Sequence, residues 1–177
     1  MDKVKYKEEQ KFGSPALIAA MGVLYSGAIG FLFYGIYNQI ILGNPVGDEP
    51  MSDNGLFIMT ALILLVLSVS AYLLFGSKLT IKITSEDISV TFKPFINKPV
   101  VFRVSEIDRY EIRKYKPIKE YGSWGVKVGL KKYGRAYNVR GNIGLQLYLK
   151  NGIKVLLGTQ RQEAIAHAMK KMMESKK

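Results

Sequence analysis

The stretch "LFIMTALILLVLSVSAYLLFGSKLTIKIT", residues 56–84, holds two periods that one element cannot share. Its first 20 residues are apolar with no charge and no polar face at helical spacing. That is the length and composition of a helix crossing the roughly 30 Å of bilayer hydrocarbon. After Gly76 and Ser77 the pattern switches to strict alternation, with Leu79, Ile81 and Ile83 on one face. Period two is the mark of a half-buried strand. The chain thus passes from a spanning helix into a β domain across about two residues.

Reading toward the N-terminus, a second uncharged run extends from Gly13 to Gly47, and its apolar part covers Pro15 to Leu42. A helix of that length reaches about 42 Å, enough to span with tilt. It is too long for the apolar core of a signal peptide, and no small-residue cleavage site follows it, so it reads as a retained anchor. The loop between the runs, "GNPVGDEPMSDN" at 43–54, is built of turn formers. The predicted organisation is an N-terminal tail (1–14), a transmembrane hairpin (15–77, spans about 15–42 and 55–76) and a C-terminal domain (78–177). Gly22, Ser26 and Gly30 fall four apart on one face of the first span. Small residues at that spacing let helices approach closely, against the second span or a second copy of the chain.

Charge sets the orientation. The chain carries 26 basic and 14 acidic residues, a net +12. The first 12 residues contribute +1, the loop at 43–54 contributes −3, and everything after Ser77 contributes +14. Positive residues stay on the cytoplasmic side, so both ends are expected there, at the cell membrane, with the acidic loop outside. Tyr37 and Tyr72 suit the two interfaces. Cysteine is absent and His167 is the only histidine, which removes thiol chemistry and leaves little for a metal or acid–base centre. No cofactor is expected.

Residues 78–158 alternate repeatedly. "ISVTF" places Ile88, Val90 and Phe92 inward, and Pro94 and Pro99 bound a connector ahead of "VVFRV" and "IDRYEIRKY". In "YGSWGVKVGLKKYGRAYNVRGNIG", 121–144, glycines recur among aromatics and lysines. Gly129 and Gly134 have the gap of a phosphate-binding loop, but Arg135-Ala136 stand where Lys-Ser/Thr is needed and another strand follows. These glycines read as sheet corners. Trp124, Val126 and Val128 are expected to alternate on a strand, with Trp124 and Val126 in the core, as Tyr137 and Val139 are. Asn151-Gly152 signals a hairpin. Thr159 to Gln162 reads as a capping box opening a helix whose stripe is Ile165, Ala168, Met169 and Met172. His167 lies off the stripe and is expected in solvent. The fold class is an α+β membrane protein: a helical hairpin, then a small all-β barrel or orthogonal sandwich plugged by a C-terminal amphipathic helix.

The order of elements resembles a bacterial pleckstrin-homology (PH)-like domain. The stretches "EEQKF" (8–12), "YGSWGVK" (121–127), "AYNVRGNIGLQL" (136–147) and "LLGTQR" (156–161) resemble small bacterial and archaeal two-span membrane proteins that carry such a domain. The resemblance implies the fold and no established activity. Eukaryotic phosphoinositide-binding members use basic residues around the first hairpin; here that turn is Thr84-Ser85-Glu86-Asp87, flanked by Lys82 and Lys93, and is acidic.

The densest basic run is "RYEIRKYKPIK", 109–119. Arg109, Glu111 and Arg113 share one strand face, Lys114 lies on the other, and Lys116 and Lys119 fall in the following loop. Lys127, Lys131, Lys132, Arg135 and Arg140 extend it. Two readings stand: a face for anionic lipid headgroups or an acidic protein partner, and a solvated face that only follows the positive-inside rule. Nucleic acid is not expected, since the aromatics keep step with core valines. Catalytic motifs such as HExxH are missing, which points away from an enzyme, one of lipid or envelope metabolism included. The expected role is a membrane-held interaction or assembly module; the alternative is a lipid or small-ligand sensor coupled to the hairpin.

Overall fold

The computed structural model describes residues 4–13, 15–129 and 132–175. The chain divides into two compact units. One is Gly13–Phe75; the other joins Met1–Phe12 to Gly76–Lys177.

The first unit is a helix pair. α1 (Pro15–Ile36) continues into a π-helical turn (Tyr37–Ile41), and α2 covers Asp53–Phe75. Both helices are long and apolar enough to cross a membrane. They meet through Tyr25 and Ser70, whose hydroxyls lie 2.6 Å apart, and through buried Leu32, Leu56 and Thr60. Gln39 closes the connection, donating to the Met51 carbonyl at 2.7 Å and to Asp53 Oδ1 at 2.8 Å. The expected small-residue seam does not serve this contact. Gly22, Ser26 and Gly30 are exposed, and a Cβ at either glycine would meet nothing within 4 Å.

The second unit is α+β. β1 (Tyr6–Lys11), β2 (Lys78–Ile83), β3 (Asp87–Lys93) and β4 (Ile96–Arg103) form an antiparallel sheet in that order. The segment assigned to an N-terminal tail therefore supplies a strand, with Tyr6 opposite Ile83 and Lys11 opposite Lys78. The expected 94–99 connector is mostly strand. Pro99 is tolerated because β4 is an edge, where a missing N–H costs no ladder bond.

β5 (Ile107–Lys114), β6 (Gly125–Val128), β7 (Arg135–Asn138), β8 (Ile143–Leu149) and β9 (Lys154–Gly158) form the second sheet, ordered β5-β8-β9-β7-β6. All its pairs are antiparallel except β7 with β9. The expectation of a barrel is corrected: the described strands form two open sheets.

Alternation decides the core. Leu79, Ile81, Ile83, Ile88, Val90 and Phe92 from the first sheet share one cluster with Ile107, Tyr137, Val139, Leu145, Leu147, Val155 and Leu157 from the second. Helix α4 (Gln162–Glu174) adds Ile165, Ala168, Met169 and Met172, and His167 is exposed, both as its stripe predicts. Its start differs from the expected capping box. Arg161 is the N-cap residue and has no side-chain cap, while the Thr159 hydroxyl accepts from the Arg161 N–H at 3.0 Å. Thr159 lies two residues before the N-cap and is engaged with β1, as described below.

Trp124 and Val126 are not core residues. Trp124 is half-buried with its indole N–H on the Gly141 carbonyl at 3.3 Å, and Val126 and Val128 are exposed. β6 shows no fully buried position, so its alternation is not matched by a covered face.

The glycines at 121–144 do make corners. Gly129 N–H bonds the Gly134 carbonyl at 2.7 Å between β6 and β7, and Gly134 has φ +76°. A Cβ on Gly134 would run into the Lys154 backbone. Gly134→Ala is expected to lower stability by about 2–4 kcal/mol through positive-φ strain and this clash. Chemical denaturation of the purified chain measures it, and a loss under about 0.5 kcal/mol would contradict the turn.

Candidate functional site: two charged sheet faces

The predicted basic run lies on the outer face of the second sheet. β5 presents Arg109, Glu111 and Arg113 opposite Tyr148, Gln146 and Gly144 of β8. The chain then turns at Lys116 into a one-turn helix, α3 (Pro117–Tyr121), where a loop was expected. Pro117 suits the first turn of a helix, where its missing N–H costs nothing. This helix carries Tyr121 over Tyr115, Leu156 and Ala136, a small second core on the outside of the sheet.

Arg113 is the centre of this face. Its Nε and one terminal nitrogen donate to Gln146 Oε1 at 3.1 and 3.0 Å, and it pairs with Glu120 at 2.7 Å. Glu120 Oε1 also accepts the Lys116 N–H at 2.8 Å. Burial pushes the Glu120 carboxyl up, but the Arg113 guanidinium and the Lys116 amide together hold it below its ordinary value. Burial, with Glu120 adding to it and Arg113 opposing, pushes Tyr121 up to about 12.

Arg109 stacks on the Tyr148 ring at 3.7 Å, and the Tyr148 hydroxyl donates to Glu111 at 2.6 Å. An open cleft of about 270 Å³ runs between these groups and is lined by Arg113, Lys132, Tyr133, Tyr148 and Lys154.

Of the predicted set, the structure gathers Arg109, Arg113 and Lys132 around this cleft, and adds Lys154 of β9. Lys114, Lys116, Lys119, Arg135 and Arg140 are exposed and do not line it; Lys131 lies outside the described residues. Much of the charge at the centre is already answered, by Glu120 for Arg113 and by the Tyr148–Glu111 pair beside Arg109. These pairs are half-buried, and each charge that is answered within the fold is less available to a ligand.

A second basic face was missed. On the outer side of the first sheet, Lys7, Glu9 and Lys11 of β1 lie beside Lys82, Thr80 and Lys78 of β2, which lie beside Ser89, Thr91 and Lys93 of β3. A depression of about 320 Å³ sits among them. Glu9 is held by Lys7 at 2.8 Å and Lys78 at 2.5 Å. Hydrogen bonds from these two lysines, with their charge, pull its carboxyl down to about 2. The signal was in the sequence, as alternating lysines in both segments. It became visible only once residues 6–11 were known to be a strand.

The inner side of β1 carries a polar seam. Glu8, 4% exposed, accepts from the Tyr6 hydroxyl at 2.5 Å, the Thr159 hydroxyl at 2.7 Å and the Gln160 N–H at 2.8 Å. Gln10 donates to the Gly158 carbonyl at 2.7 Å. Burial, with the Glu8 carboxylate adding to it, raises the Tyr6 phenol well above its usual range. These bonds lock the N-terminal strand to the junction of β9 and α4.

No group of three or more His, Asp or Glu placed to hold a metal occurs among the described residues. No protein-family profile matches the chain, and a comparison with curated proteins finds no match.

Two outcomes follow from this geometry. Replacing Glu8 by Leu strands three donors in a dry seam and is expected to cost about 2–5 kcal/mol, read by thermal or chemical unfolding. The Glu120 carboxyl is depressed in the folded state, so its contribution is complete above the unfolded value near about 4.3. It fades as pH falls through the lower folded value. Melting temperature followed from pH 7 to pH 3 should therefore drop less steeply in Glu120→Gln than in the parent. Superimposable slopes would contradict the coupling.

Proposed function

We propose that this chain is a membrane-anchored interaction or assembly module. In this reading the helix pair spans the cell membrane and holds a PH-like β domain at the cytoplasmic face. The single observation that carries it is the pairing of β1 with β2. These strands immediately precede and follow the helix pair, and they are hydrogen-bonded neighbours in one sheet. Any membrane crossed by the helices is therefore crossed an even number of times, with both ends on one side. The positive charge of the domain and the acidic loop at 43–54 favour the cytoplasm for that side. The apolar helix surfaces support the span: Val23 is 76% and Phe31 69% exposed, and such surface requires an apolar cover.

The PH-like assignment draws support from an antiparallel four-stranded sheet that shares its core with a second sheet and a C-terminal helix. The parallel β7–β9 pair is a departure from a simple meander. The sensor reading is favoured by one feature, the Glu8 seam. It ties the strand that leads into the first span to the start of α4, so a change at that helix has a direct route to the hairpin.

Because the chain has no cysteine, single cysteines report topology without background. Asp48→Cys is expected to react with a membrane-impermeant maleimide in intact cells, and Lys150→Cys only after lysis. The reverse pattern would sink the orientation, and labelling of both in intact cells would sink the span. Amine-reactive crosslinking in native membranes should then trap a discrete adduct with a second chain. A chain that stays monomeric and adduct-free at all crosslinker levels would remove the assembly role.

A further inference from the structure

We infer that the outer face of the four-stranded sheet, centred on Lys11, Lys82 and Lys93, is a docking surface for the phosphates of an anionic lipid membrane. The inference rests on the membrane-anchored reading and specifies which side of the β domain meets the lipid.

Three observations carry it. The first is register. Lys11, Lys78 and Lys93 stand directly opposite one another across β1, β2 and β3, and Lys7 and Lys82 form a second lysine pair on the same face. Like charges opposite one another destabilise a sheet, so five lysines on three strands carry a cost that an anion relieves.

The second is the state of those charges. Glu9, the one acidic side chain lining the depression, already bridges Lys7 and Lys78. That bridge shows two ammonium groups on this face converging on one anion. Lys11, Lys82 and Lys93 have no ion-pair partner among the described residues. Thr80, Thr91 and Ser89 add hydroxyl donors between the lysine rows. Ammonium and hydroxyl donors over an open, shallow surface suit many phosphate groups in a plane better than one enclosed ligand.

The third is chain length. Lys11 lies two residues before Gly13, where the apolar unit begins, and Lys78 lies three residues after Phe75, where α2 ends. Extended chain covers at most about 3.6 Å per residue, so these backbone positions fall within about 7 and 11 Å of the helix unit. That is close to the depth of the headgroup layer plus one Debye length. The second-sheet cleft has no such tether, and its arginines are engaged with Glu120 and Tyr148.

The test uses the full chain in neutral detergent, titrated with phosphatidylglycerol or phosphatidylcholine, with bound lipid counted by native mass spectrometry. The wild type should retain phosphatidylglycerol over phosphatidylcholine. The triple variant Lys11→Gln, Lys82→Gln, Lys93→Gln should lose about tenfold in phosphatidylglycerol binding. A charge-matched triple, Lys116→Gln, Lys119→Gln, Arg140→Gln, should stay within about twofold of wild type.

Equal retention by the first triple overturns the inference, as does an equal loss in the second. Full displacement of the lipid by millimolar inorganic phosphate also overturns it, because the surface would then be a free-anion site. Circular dichroism and unfolding of both triples guard against a folding defect, which exposed lysines should not cause. Alkaline carbonate extraction of the wild type separates the two levels. A chain washed from the membrane fails the anchored reading and this inference with it. A chain that stays in the membrane while the first triple binds as wild type fails this inference alone.

Discussion

The pairing of β1 with β2 is the constraint on which the architecture depends. Six residue pairs join strands separated in sequence by the entire apolar unit, from Tyr6 with Ile83 to Lys11 with Lys78. Backbone hydrogen bonding alone would leave this edge strand marginal. The Glu8 seam secures it, since a buried carboxylate with three donors is costly to break. The domain is thus closed at its N-terminal edge by these polar contacts together with Tyr6 and Phe12, which join the shared apolar core. The helix pair is an insertion within a sheet rather than an appendage in front of one.

Much of this was legible wherever a period could express itself against a second layer. Helix α4 shows its stripe because Ile165, Met169 and Met172 all reach the shared core. β2 and β3 alternate cleanly because one face is dry and the other wet. β1 was illegible for a physical reason. Its buried positions are Tyr6, Glu8 and Gln10, and two of those three are inward only because partners about 150 residues away satisfy them. No local pattern reports such partners. β6 misled in the opposite way, since Val126 and Val128 alternate at an edge yet both are exposed.

The candidate site divided along the same line. Density of charge in sequence pointed to 109–119, where the fold then supplied Glu120, Gln146 and Tyr148 as partners from two other elements, α3 and β8. The less conspicuous lysines at 7, 11, 78, 82 and 93 are scattered over 87 positions of sequence and converge only through register. A cluster made by cross-strand neighbours is invisible to any window along the chain. Conversely, a run of charges adjacent in sequence divides between two faces of a strand and meets whatever the neighbouring strand provides.

The inserted helix pair also orders events in synthesis. β1 leaves the ribosome well before its partner strand, which follows more than 60 residues later, after two apolar segments have been made. Through that interval β1 is an unpaired strand with a carboxylate in need of donors, and the sheet edge it will cover does not exist. Its own donors at Thr159 and Gln160 arrive later still. The N-terminal strand therefore cannot become native before the chain has been made through Gln160. Once it does, the pairing of β1 with β2 closes the polypeptide into a loop that contains both apolar segments.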